Sequence, residues 1–189
     1  MIKVGIIGCG KITELRHAPE YNDNPDVEQI YFYDRHPERA QRMADIYNGK
    51  VFDSVEDLLA SDIDGVSICV ANVDHARYTI QALRAGKHVL CEKPMAVTLA
   101  ESEAMADTAE ACGRYLMVGQ NQRFARAHVE ARRLLEQGEI GQPLAFRTTF
   151  GHPGPEGWSE RPDTWFFDRD KAHLGSIGDL GAHKIDLMH

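Results

Sequence analysis

Three short groups of residues in this 189-residue chain have types and spacing suited to chemistry. The first is Gly8-Cys9-Gly10, which follows an apolar run and opens a helical pattern. Gly8 permits a tight turn, and Gly10 lets the backbone approach a pyrophosphate closely. The helix that begins at Lys11 and Ile12 then turns its N-terminal amides and positive dipole end toward the phosphates. The third glycine usual in such a turn is replaced by Thr13. Asp34 ends the next apolar run, roughly 20 positions further on, where an acidic side chain accepts hydrogen bonds from the adenosine ribose hydroxyls. The same carboxylate repels a 2′-phosphate, which favours NAD over NADP. Arg35, beside it, can stack on adenine or pair with such a phosphate, so NADP stays open. The plainer reading of Asp34 is the start of a turn before Pro37.

The second group is Glu92-Lys93-Pro94, at the end of the apolar run His88–Cys91. The carboxyl ends of parallel strands are where ligands bind in open α/β sheets. The proline keeps the backbone of Lys93 out of the helical region. A lysine there can polarise a carbonyl or move a proton, with Glu92 orienting it or touching the nicotinamide ribose. A surface Lys-Pro turn is the competing reading. The third group is Asp179 and His183, four apart in the stretch GDLGAHKID and so on one helix face. A carboxylate beside an imidazole orients it and raises its affinity for a proton, as a proton relay near neutral pH requires. Asp186 could support His183. An exposed polar face or metal ligation are alternatives, but Asp-x3-His supplies only two ligands and no third is near, so no metal is expected.

These groups need a scaffold, and its elements are legible. Short apolar runs at Ile2–Ile7, Gln29–Tyr33, Val66–Val70, His88–Cys91 and Tyr115–Val118 alternate with helical patterns near 11–22, 37–47, 54–60, 74–86 and 99–112. That alternation predicts a parallel sheet with crossover helices, and continuously apolar strands are expected where both faces are covered. Ser54 and the capping box Thr98–Glu101 mark helix starts, and Gly86 and Gly113 sit at helix ends. After Gly119 the pattern changes to an amphipathic stretch over 124–137, a β-type run Leu144–Phe150, a Gly/Pro-rich loop 151–162 and a last helix from about Ser176. The predicted fold class is α/β: a Rossmann doubly wound parallel sheet over 1–120, then the beginning of an α+β substrate and oligomerisation domain over 121–189.

Composition narrows the function classes. There are 21 Lys plus Arg against 29 Asp plus Glu, a formal net charge of −8, and 43% hydrophobic residues. An acidic chain without a basic cluster is a poor partner for nucleic acid, and no apolar run is long enough to cross a membrane. The N-terminus enters a strand at once, without a signal-peptide core, and Cys9, Cys69, Cys91 and Cys112 form no CxxC pair. They are expected to be reduced core residues of a cytoplasmic protein.

Taken together, Gly8-Cys9-Gly10, the stretch from His75 through Ala85-Gly86-Lys87-His88-Val89-Leu90-Cys91-Glu92-Lys93-Pro94, and Asp179…His183 resemble the Gfo/Idh/MocA oxidoreductases, the glucose–fructose oxidoreductase and inositol dehydrogenase family. The resemblance runs over essentially the whole chain and is most specific in AGKHVLCEKP. It implies a nicotinamide-binding Rossmann domain followed by a domain built on a large open sheet, in a full-length protein expected to be a homo-oligomer. It implies that Lys93, Asp179 and His183 form the catalytic group. His183 would take the proton of a secondary hydroxyl, Lys93 would bind and polarise that oxygen, and Asp179 would position substrate or His183. A cis Lys93–Pro94 bond is expected on the same ground.

The resemblance also assigns Asn72 and His75 to the loop approaching the nicotinamide ribose, Asn121 to the nicotinamide, and Trp165 to an aromatic position near the cofactor. Ala71 departs from the Pro-Asn usual in relatives. Arg16, His17 and His173 are weaker candidates, since a solvated helix face explains the first two equally well. Trp158 and Arg161 could meet a hydroxylated ring in the loop 151–162. Family members continue well past the Asp-x3-His helix, so the chain is expected to be a fragment of a longer enzyme, with weak or no catalysis by itself. The implied function is NAD(P)-dependent hydride transfer to or from a sugar or cyclic polyol. The alternatives are reduction of another carbonyl or imine, and a non-catalytic NAD(H)-sensing regulator.

Overall fold

The computed structural model describes residues 1–159 and 163–189, and they divide into two compact units, Met1–Val118 and Gly119–His189. In the first unit six parallel strands lie in the order β3-β2-β1-β4-β5-β6. They are β1 (Ile2–Ile7), β2 (Val27–Tyr33), β3 (Lys50–Val51), β4 (Gly65–Ile68), β5 (His88–Cys91) and β6 (Leu116–Val118). The chain winds outward from β1 in one direction, then returns to β4 and winds outward in the other. This is the doubly wound Rossmann sheet, with its switch point between β1 and β4.

The two-residue period of the strands divides the core between two faces. Ile6 packs with Ile30, Phe32, Ala40 and Met43, whereas Ile7 packs with Leu58, Val66, Ile68 and Leu83. Helices cover both faces: α2 (Pro37–Tyr47), α3 (Val55–Ala60), α4 (His75–Arg84) and α5 (Leu99–Cys112). Caps explain several of their limits. Ser54 Oγ accepts the Asp57 amide ahead of α3, Thr98 and Glu101 form a reciprocal capping box ahead of α5, and Asn48 ends α2 in the left-handed conformation.

The first helix departs from expectation. Over residues 11–22 the spacing predicts a plain α-helix, but Thr13–His17 is a π-helical turn, in which the Ala18 amide bonds back to Thr13 O, and an α-helix resumes over Ala18–Asn22. This composite element is α1. The widest difference lies in the second unit. The run Leu144–Phe150 forms no strand, because no described strand lies beside it to take its backbone hydrogen bonds. The described elements there include α6 (Arg126–Glu136), α7 (Pro155–Ser159), α8 (Arg169–Ala172), two 3-10 turns, Asn121–Phe124 and Trp165–Phe167, and a second π-helical turn, Ile177–Gly181, continued by α9 (Ala182–Asp186). Arg161 lies outside the described residues.

Candidate functional site

The turn after β1 is built by a close crossing. Gly8 has φ +98°, and a Cβ there would stand 2.4 Å from the carbonyl oxygen of Cys69, beyond the end of β4. No side chain fits. Thr13, where a glycine was expected, is fully buried, and its hydroxyl donates to Gly8 O at 2.6 Å. The threonine therefore closes the turn by a hydrogen bond of its own. Gly10 presents the opposite case, since a Cβ there would meet nothing within 4 Å. Open space thus lies over Gly10, beside the helix opening at Lys11 and Ile12, which is the cradle a pyrophosphate needs.

Asp34 closes β2 and is buried. One of its carboxylate oxygens accepts the Cys9 amide at 2.7 Å, and the other accepts the His36 amide at 2.8 Å. Both bonds hold the carboxylate rigidly at the end of β2 and tie it to the glycine turn. A carboxylate oxygen accepts more than one hydrogen bond, so capacity for ribose hydroxyls remains. Arg35 beside it is exposed. Burial pushes the Cys9 and Cys91 thiols up, Cys91 to about 12, so both remain protonated core residues.

The loops after β4 and β5 meet through His75. Asn72 and His75 are both buried, and the His75 ring nitrogens lie 2.7 Å from Pro94 O and 3.2 Å from Val70 O. Burial lowers its pKa, against the two carbonyls that favour the proton. His75 therefore ties the loop after β4 to the Lys93–Pro94 turn. The Lys93–Pro94 bond is cis, as the resemblance implies. Glu92 points under this turn: its Oε2 accepts the Lys93 amide at 3.1 Å, and its Oε1 lies 2.8 Å from His17 Nε2.

His17 corrects the reading of a solvated helix face. Its side chain is 8% exposed, because the π-helical turn of α1 faces it toward the sheet. Its Nδ1 lies 3.2 Å from Ser67 Oγ, which is 2.6 Å from the Tyr21 hydroxyl. Burial disfavours the imidazolium, but Cys69 and Glu92 outweigh that and raise its pKa to about 10. Burial likewise opposes the Glu92 carboxylate, yet His17 draws its pKa below the usual range. Gly8, Gly10, Lys11, Ile12, Asp34, Asn72, Glu92 and Lys93 thus gather around the carboxyl ends of β1, β2, β4 and β5.

In the second unit, Asp179 lies in the π-helical turn and His183 in α9. Asp179 Oδ2 is 3.7 Å from His152 Nε2, a neighbour with no sequence signal. His183 is buried, with the Phe150 ring edge-on at 6.1 Å. Both Asp186 oxygens accept from the Arg123 guanidinium. Asn121 is exposed at the start of a 3-10 turn. Trp165 stacks on Phe166 at 4.0 Å, and Trp158 meets Phe166 edge-on at 6.3 Å. Among the described residues no group of His, Cys, Asp or Glu could hold a metal, and no helix is long and apolar enough to cross a membrane.

Two family models match the chain. One, the oxidoreductase family with an NAD-binding Rossmann fold, covers residues 2–120, and the GFO/IDH/MocA C-terminal domain covers residues 128–189. The glucose-6-phosphate 3-dehydrogenase of Bacillus subtilis is 33% identical over 100% of this chain and 53% of its own length. The D-glucoside 3-dehydrogenase of Escherichia coli is 33% identical over 98% of this chain and 52% of its own. A 3-ketoreductase from Actinomadura kijaniata, solved with NADP and TDP-benzene, superposes with a TM-score of 0.83 and 31% identity over 95% of this chain and 54% of that one. The chain spans about half the length of the curated relatives it matches.

Proposed function

Because the chain belongs to the Gfo/Idh/MocA oxidoreductases, we propose that it is the nicotinamide-binding half of a dehydrogenase acting on a secondary hydroxyl of a sugar ring, with C3 of a hexopyranose as the target carbon. The observation that carries this reading is the cradle over Gly10, coupled to Asp34 by the Cys9 amide and flanked by Lys93 at the end of β5. The target carbon is inferred from the relatives, two of which are 3-dehydrogenases and one a 3-ketoreductase.

The residues present fit the cofactor, whose nicotinamide, when bound, accepts or returns the hydride. The chain supplies the rest. The Gly8–Gly10 turn and the first turn of α1 hold the pyrophosphate, and Asp34 accepts from the adenosine ribose hydroxyls. Lys93 binds the substrate oxygen through its ammonium and stabilises the charge that develops there. His183 takes the hydroxyl proton during oxidation and returns it during reduction, and Asp179 orients the substrate or the imidazole. The stacked Trp165 and Phe166 offer an apolar face for the C–H side of a ring. Residues 121–189 form the first part of the substrate domain.

The test is a titration of NADH and NADPH into the purified chain, read by nicotinamide fluorescence. A dissociation constant for NADH at least about tenfold below that for NADPH supports the site and its Asp34 end. Preference for NADPH would move the adenosine end to Arg35, and binding of neither would remove the cofactor assignment. Turnover of the full-length enzyme on glucosides, glucose 6-phosphate and inositol then tests the substrate class, and activity confined to inositol would remove the C3 pyranose reading.

A further inference from the structure

Beneath the Lys93–Pro94 turn lies a polar cluster that the hydride-transfer reading leaves unused. His17 and Tyr21 come from α1, Ser67 from β4 and Glu92 from the end of β5, on the side of the sheet whose apolar core includes Ile6, Cys9, Ala18 and Cys69. The cluster is continuous: Tyr21 hydroxyl to Ser67 Oγ, Ser67 Oγ to His17 Nδ1, His17 Nε2 to Glu92 Oε1, and Glu92 Oε2 to the Lys93 amide. The His17 and Glu92 side chains are 8% and 15% exposed.

Stability alone does not explain such a pair. A buried ion pair does little better than apolar residues of the same volume, because desolvation consumes most of its Coulomb gain. A π-helical turn is also a less favourable use of backbone than a plain α-helix, and such turns gather at functional sites. Here the turn aims an imidazole at a carboxylate that grips the backbone of Lys93.

We infer that His17 is a positioning residue of the nicotinamide site: its buried pair with Glu92 gives that carboxylate its counter-charge and, through the Lys93 amide, holds the Lys93–Pro94 turn in place. This rests on the reading of that turn as the nicotinamide end of the cofactor site. The groups facing His17 are Tyr21 on its own helix, Ser67 and Cys69 on the β4 side, and Glu92, with Lys93 behind it, on the β5 side. The paired charges cancel. The nicotinamide end therefore feels Lys93 and not a bare carboxylate. Oxidised nicotinamide carries a positive charge and the reduced ring does not, so the balance of charge here sets the relative affinity for the two forms.

The experiment uses the 189-residue chain with NAD+ and NADH as probes, comparing wild type with His17→Gln, Glu92→Gln and the double variant at pH 8.5. Glutamine keeps a hydrogen bond to Glu92 and removes the charge. The His17→Gln variant is expected to shift the ratio of the NADH and NAD+ dissociation constants about three- to tenfold toward NAD+. The shift should fade as pH falls and the unpaired Glu92 takes up a proton, and it should be absent in the double variant. Equal weakening of both forms would show a brace without an electrostatic role and overturn the inference. Independently of any cofactor, nitrogen-correlated NMR of the imidazoles should show His17 doubly protonated at pH 8 in the wild type and titrating at lower pH in Glu92→Gln. A neutral His17 in the wild type would overturn it as well, even if the His17→Gln variant does not fold. Failure of the wild type to bind either form would instead remove the cofactor reading, and the positioning role with it.

Discussion

Two glycines two residues apart make opposite demands, and substituting each separates fold from binding. At Gly8 the backbone is left-handed and a methyl group collides with a carbonyl of the β4 end. Neither partner is a flexible side chain. Gly8→Ala should cost about 2–3 kcal/mol or more in chemical denaturation, and a loss under about 0.5 kcal/mol would contradict the crossing described. At Gly10 the methyl enters open space. Gly10→Ala should therefore leave the denaturation midpoint nearly unchanged while weakening NADH binding at least about tenfold, since the methyl stands where a phosphate must approach. The His17–Glu92 pair adds a pH signature. The His17 pKa is raised from its usual value near 6.5 to about 10. Its contribution to stability is complete below about pH 6.5 and is lost as pH rises through 10. The melting temperature should fall between pH 7 and 10 by a margin, about 4 °C or more, that Glu92→Gln reduces; parallel curves would count against the pair. The glycines and Asp34 were legible because their spacing is itself the geometry. His17 was not, since a histidine on an amphipathic helix reads the same whether it faces water or a carboxylate 75 positions away.

Elements were legible where local chemistry sets their limits. The Thr98–Glu101 box, the Ser54 cap and the left-handed Gly113 act within one turn of the chain, so the sequence predicts them and the structure contains them. The two-residue β3 carries no pattern of its own and exists only because β2 offers it an edge. The two π-helical turns are equally invisible, because a bond from residue i+5 to i is selected by what the widened turn can reach. Leu144–Phe150 shows the reverse failure: a good strand composition forms no strand without a neighbouring ladder. The cap lends itself to measurement. Thr98→Ala removes the acceptor for the Glu101 amide and should lower stability by about 1 kcal/mol. Met105, fully buried on the same helix, should cost about 2–5 kcal/mol on replacement by alanine. A cost at Thr98 rivalling that at Met105 would mean that α5 is held by its end and not by its buried face.

For the molecule as a whole, the question is where cooperativity resides. Both clusters of buried apolar residues lie within Met1–Val118. The side chains assigned to the pyrophosphate and adenosine ends, from Gly8 to Arg35, lie there too. In Gly119–His189, by contrast, α6 carries no buried residue, and Leu144, Phe146, Phe167 and Ile177 are exposed. Roughly 120 residues suffice for a domain with its own core. A chain of residues 1–120 should therefore unfold in one cooperative transition. It should also bind NADH within about tenfold of the 189-residue chain. Two outcomes would contradict this: a broad transition without a cooperative midpoint, or loss of NADH binding with cooperativity intact. The first would mean that the Rossmann core does not stand alone. The second would move a decisive part of the cofactor site beyond residue 120, and with it the weight now placed on the glycine turn and Asp34.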